Sequence, residues 1–178
     1  MTKKETIFAY IDAANLHKGI GEFGWKLDYV RFRIWLKEKY KVDKAYLFIG
    51  LIPKYKTLYT FLQEAGFTLI FKETTYDNDG KAKGNCDADL VLRVVRDFYE
   101  NKNSGVILVT GDGDFASLAQ FLLEKNKLKS ILALNNRKCS ILLKRTGAKI
   151  TYLKEFRTIL AENEKAPGKD ETSQGSSS

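Results

Sequence analysis

The chain has 178 residues, 44% of them hydrophobic, which is enough for one domain of ordinary size with a substantial core. Its net charge of +8 is uneven: residues 161–178 hold four acids against two lysines, so residues 1–160 carry +10. Two distant cysteines, Cys86 and Cys139, and a single histidine, His17, exclude a zinc cluster or disulfide scaffold, and no stretch approaches the roughly 18 unbroken apolar residues of a membrane span. With no signal-peptide core after the first five residues, the composition predicts a soluble, unexported, cytoplasmic protein. A basic domain of this kind fits a polyanionic partner, of which nucleic acid is the commonest.

In chain order, residues 6–11 form an apolar strand ending on Asp12, followed by a short helical start over 13–16. Residues 25–28 read as a connector. Residues 29–40 place Val30, Ile34 and Trp35 on one side at helical spacing. A strand over 45–51 closes at Pro53, a helix over 55–66 runs through Leu58, Phe61, Leu62 and Ala65 to the terminator Gly66, and a third strand covers 67–71. Residues 72–86 are too polar to pack a core and read as a long loop delivering the chain to a helix over 87–100. Then follow a strand through 106–110, an amphipathic segment over 115–123, a strand over 130–134, a short helix over 140–146, a last strand over 149–153 and a closing helix over 155–160. This alternation predicts an α/β fold with a mostly parallel sheet covered on both faces. It also divides the chain into one domain over 1–160 and a disordered polar tail over 161–178.

Asp12, Asp87, Asp112 and Asp114 all stand where the chain leaves a strand or loop and enters a helix. One Asp at such a point is accounted for by N-capping, worth about 0.5 to 2 kcal/mol over Ala. Asp112-Gly113-Asp114 supplies two at one turn, and the surplus carboxylate needs another reason. Clustered carboxylates repel and raise one another's pKa, so their usual purpose is to hold a hard divalent ion, Mg²⁺ or Mn²⁺, which keeps waters and meets substrate phosphate. That chemistry is phosphodiester hydrolysis. No P-loop or serine-nucleophile motif competes, and Asp77-Asn78-Asp79-Gly80 lacks the ligands that would complete a calcium loop. Helical spacing aligns Asp87 with Leu90 and Val91, toward the sheet, and Asp89 with Arg93 as an expected solvated ion pair. Asn15 and Thr110 offer polar groups at the same edge. Lys18, Lys81, Lys83, Arg137, Lys138 and Lys144 offer positive charge for a phosphate backbone, and Trp25 or Tyr55 a ring for a base.

Tyr10-Ile11-Asp12-Ala13-Ala14-Asn15, then Lys83-Gly84-Asn85-Cys86-Asp87-Ala88-Asp89-Leu90, then Thr110-Gly111-Asp112-Gly113-Asp114-Phe115 resemble, in order and spacing, the NYN domain of the LabA-like group, a branch of the PIN-like nucleases. The resemblance implies a Rossmann-like three-layer α/β/α sandwich and an Mg²⁺- or Mn²⁺-dependent ribonuclease acting on RNA, expected to be single-stranded. It places Asp12, Asp87, Asp112 and Asp114 on the acidic catalytic and metal positions. Asn15, Thr110, Lys18 and Lys83 are the expected substrate-binding residues, and a homodimer is compatible with all of this. Two departures stand out: Thr110 replaces the usual Ser, and Arg93 stands where many relatives carry an acid. Arg93 is the feature behind the alternative, a non-catalytic RNA-binding or protein-interaction module on the same fold. A Toprim-type centre would need a Glu after the first strand, where this chain has Asp12.

Overall fold

The computed structural model describes residues 5–22, 24–73 and 86–163, together with the backbone of 75–76 and 82–83. The first strand, β1 (Ile7–Asp12), is buried along its whole length. Alternation along an extended chain sends Ile7, Ala9 and Ile11 into one apolar core and Phe8 and Tyr10 into a second core on the other face. A strand buried on both faces is the signature of a central parallel strand.

Asp12 caps α1 (Ala13–Gly21), a helix of nine residues rather than the brief start that the sequence predicts. Its small first residues, Ala13 and Ala14, and its buried Leu16 and Ile20 let it lie on the first core. Next comes α2 (Tyr29–Tyr40), with the expected bounds and Trp35 turned inward as expected, but not Val30 or Ile34. Phe32, Trp35 and Leu36 are buried, whereas Val30 and Ile34 are 41% and 50% exposed. Both sets share a helical face, and the set with the larger apolar area wins. After β2 (Val42–Leu51) and a 3-10 turn at Pro53–Tyr55, α3 (Lys56–Glu64) buries Tyr59 and Leu62, leaves Leu58 and Phe61 exposed, and ends before Gly66 at φ +94°. The edge strand β3 (Thr68–Glu73) extends into the segment expected to be loop, where β4 (Thr75–Tyr76) and β5 (Ala82–Lys83) form an antiparallel pair.

The chain then crosses to the other face through α4 (Asp87–Tyr99) and enters β6 (Gly105–Val109), which pairs in parallel with β1. A 3-10 turn at Gly113–Phe115 leads to α5 (Ala116–Glu124), then β7 (Leu128–Ala133), α6 (Ile141–Arg145), β8 (Ile150–Tyr152) and α7 (Arg157–Leu160). The sheet order is β3-β2-β1-β6-β7-β8, every pairing parallel. Helices α1, α2, α3 and α7 cover one core and α4, α5 and α6 the other, completing the three-layer α/β/α sandwich. Where the expected tail begins, Ala161 bridges Leu27, and Arg31 bonds the Ala161 carbonyl and Asn163; residues 164–178 lie outside the described residues.

Candidate active site

From β1 the chain works outward to β2 and β3, and from β6 outward to β7 and β8. The carboxyl ends of β1 and β6 therefore flank the switch point where open α/β sheets leave a crevice. Ile11 pairs with Val109, so Asp12 and the segment Thr110-Gly111-Asp112 emerge side by side. Two polar contacts lock them together. The Thr110 hydroxyl donates to Asp12 Oδ2 at 3.4 Å and accepts the Asp112 N–H at 3.1 Å. Asn15 Oδ1 accepts the Gly111 N–H at 2.9 Å, tying α1 to the end of β6. Asp12 Oδ1 accepts the Asn15 N–H at 3.1 Å, and Asp112 Oδ1 the Asp114 N–H at 3.0 Å. Both Asp12 and Asp112 are thus true caps as well as site residues. Gly111 is required by close approach: a Cβ there would sit 2.9 Å from the Lys138 carbonyl oxygen.

Asp87 reaches the same place from the first turn of α4. Oxygens of Asp87, Asp112 and Asp114 lie within 4.8 Å of one another; Asp87 and Asp112 are half-buried and Asp114 exposed. Among the described residues neither Asp112 nor Asp114 forms an ion pair. Asp12 lies just behind the three, only 8% exposed. Burial raises its carboxyl above the ordinary value, as do the charges of Asp87 and Asp112, while the Asn15 N–H and the Thr110 hydroxyl pull it down. The thiol of Cys86, the residue before Asp87, is pushed up to about 11 by burial and by Asp12, Asp89 and Asp87. An all-oxygen donor set of clustered carboxylates fits a hard divalent cation better than a softer metal.

The NYN domain family model matches residues 6–154. The chain belongs to the NYN domain family. The NYN fold is also seen in the crystal structure of a protein of unknown function, VPA0982, from Vibrio parahaemolyticus: the TM-score is 0.73 at 24% identity, over 90% of this chain and 98% of that one. A likeness at that identity is one of fold alone. No curated protein matches the sequence. Among the described residues, no helix of this NYN domain is long and apolar enough to cross a membrane.

A cavity of about 630 Å³ opens from the carboxylates of the NYN domain across the end of β2 to α3. Asp12, Asn15, Lys18, Asp87 and Asp112 line it on one side, and Ile52, Tyr55, Leu58 and Tyr59 on the other. The structure therefore brings Asp12, Asp87, Asp112, Asp114, Asn15, Thr110 and Lys18 to one crevice, while the Lys81 and Lys83 side chains lie outside the described residues. Several other expectations change. Asp89 pairs with Lys72 at 2.9 Å rather than with Arg93. Arg93 bonds Asp97 at 2.9 Å and stacks its guanidinium over Tyr46 at 4.2 Å, because Asp97 is fully buried and needs a cation. Trp25 is buried in the core and offers no base-stacking ring, whereas Tyr55 stands at the cavity. Lys138 is paired with Glu22, and Lys144 donates to the Asn136 carbonyl. The sequence reading missed Ile52, Leu58 and Tyr59 as site residues, since nothing local distinguishes them from core or surface positions.

Proposed function

We propose that this NYN domain is a divalent-metal-dependent ribonuclease of the LabA-like group, hydrolysing single-stranded RNA in the cytoplasm. The observation that carries the reading is the meeting of Asp87, Asp112 and Asp114 within 4.8 Å at the β1/β6 switch point of a basic domain. Those three carboxylates would hold Mg²⁺ or Mn²⁺. When bound, such an ion supplies Lewis acidity toward a phosphoryl oxygen and lowers the pKa of water.

The chain's own residues do the rest. Asp12, with both oxygens engaged by the Asn15 N–H and the Thr110 hydroxyl, fixes a buried negative charge behind the three and holds the two strand ends in register. Asn15 spends its carbonyl on Gly111, and its amide NH₂ has no partner among the described residues, so it is the donor offered to a substrate phosphate. Lys18, exposed on the next turn of α1, adds positive charge at the rim, with Lys83 assigned the same role. Thr110, buried and bonded on both sides, acts by positioning Asp12 and Asp112. Arg93, engaged with Asp97 and Tyr46, bears on the stability of α4; the acid missing at its position is the motive for the alternative, a non-catalytic RNA-binding or protein-interaction module, which predicts no cleavage.

The test is cleavage of labelled single-stranded RNA with Mg²⁺, Mn²⁺ or EDTA, in wild type and Asp112→Asn. Asn keeps an oxygen for the Asp114 N–H, so the turn survives while the charge is lost. The expected result is cation-dependent cleavage falling about 100-fold or more in the variant. Equal activity in both proteins, or none in either, rejects the reading.

A further inference from the structure

We infer that the cavity beside the carboxylates seats one unpaired nucleobase of the strand being cut, so that the domain selects single strands by requiring a base outside a pair. The inference rests on the reading of the carboxylates as a phosphodiester centre. Its own support is the segregation of the cavity wall. Every ionisable carboxylate and amine on it comes from the α1 side, α4 or the β6 turn, whereas the far wall is Ile52, Tyr55, Leu58, Tyr59 and Leu62. A cavity charged at one end and apolar with aromatic rings at the other matches a nucleotide, whose phosphate is polar and whose base is a flat π-face. The volume of about 630 Å³ lies within the range of small-molecule sites.

Within the far wall Tyr59 is held at both ends. The Tyr59 hydroxyl donates to the Gly50 carbonyl at 2.9 Å and accepts the Ile52 N–H at 2.8 Å, so its polar end is saturated and its ring is fixed against Phe71. Tyr55 stands 42% exposed, with the Lys54 ammonium 5.0 Å from its ring centroid. On the opposite side Ala13 and Ala14 begin α1 without bulk, which keeps the passage to Asp12 open. A base held in a duplex cannot enter such a cavity without leaving its stack, at a cost that a single strand avoids.

Two measurements on the full chain test this. The first is NMR of labelled Ile and Leu methyls titrated with adenosine or uridine, without metal or phosphate. The expected result is saturable shifts at Ile52, Leu58 and Leu62, none with ribose, and affinity weakened about fivefold or more in Tyr55→Ala or Leu58→Ala, both at exposed positions. Unmoved methyls, or unchanged affinity in both variants, overturn the proposal. The second is cleavage of strands in which one abasic nucleotide is walked past the scissile bond. One position should slow wild type about tenfold and Tyr55→Ala less than twofold. A flat profile with cleavage intact overturns the base pocket and leaves the nuclease standing. Methyl shifts without cleavage of any strand sustain base binding and overturn the nuclease reading instead.

Discussion

Asp12 is asked to be a helix cap, a strand-end anchor and a buried charge, and these demands conflict when no cation is present. Its carboxyl pKa is raised, chiefly by burial and then by Asp87 and Asp112, so the folded state binds its proton more tightly than the unfolded state does. Stability of the metal-free protein should therefore fall as pH climbs from the unfolded carboxyl value, about 3.9, through the higher folded one. Asp12→Asn removes that penalty and keeps an amide oxygen for the Asn15 N–H. We predict that at neutral pH without divalent ions the variant melts higher, by roughly 2–4 °C for each kcal/mol relieved, and that the advantage disappears in acid or reverses with saturating Mg²⁺. Melting curves with EDTA and with Mg²⁺ over a pH series would show this; a metal-free variant that melts below wild type would contradict it. The same field acts on Cys86, whose thiol at about 11 leaves little thiolate at pH 8. Its modification by a thiolate-directed reagent should be tenfold or more slower than that of a free cysteine peptide, with Cys139 also slow because burial raises its pKa.

At the level of the element, the site depends on a turn that tolerates no side chain at Gly111. Gly111→Ala drives a Cβ against the backbone oxygen of Lys138, which cannot swing away as a side-chain tip can. We expect a loss of about 1–3 kcal/mol in denaturant unfolding, accompanied by a fall in activity because the displaced segment carries Asp112. Helix α2 gives a second test. Leu36→Ala removes a fully buried side chain and should cost about 2–5 kcal/mol, whereas Ile34→Ala, at a half-exposed position, should stay near 0.5 kcal/mol. The sequence reading turns Val30, Ile34 and Trp35 inward, and only Trp35 is buried, because Val30 and Ile34 make as regular a stripe as Phe32 and Leu36. Periodicity shows that a helix is amphipathic; which stripe turns inward is decided by the surface it must cover, here the aromatic cluster with Phe67 and Phe156. The partners of Asp89 and Arg93 escaped for a related reason: Arg93 has an acid one turn away on either side, Asp89 and Asp97, and it pairs with the buried Asp97, which leaves Asp89 to the tertiary contact with Lys72.

For the whole molecule, strand ends proved more informative than helix faces. A parallel sheet puts every strand's carboxyl end on one edge, so chain order places Asp12 after β1 and Asp112 after β6 on the same edge, in one crevice if the two strands are neighbours; the sheet order and the register of Ile11 with Val109 make them so. The cavity was not legible, because its far wall joins α3 and the Pro53–Tyr55 turn to α1, segments distant in sequence whose spacing depends on how the layers pack. Its distribution of charge also carries a consequence. Residues 1–160 hold a net +10 around an acidic crevice, so RNA binding should weaken steeply with salt, log Kd rising linearly with log salt concentration, while the base contact adds a component that salt does not touch.

The central claim is that Asp87, Asp112 and Asp114 converge to hold a hard divalent ion. A crystal soaked in Mn²⁺ and measured at the manganese absorption edge tests it most directly. An anomalous peak is expected about 2 Å from carboxylate oxygens of Asp87 and Asp112, with Asp114 as a direct or water-bridged ligand. A soak at millimolar Mn²⁺ that leaves these carboxylates without a peak would contradict it.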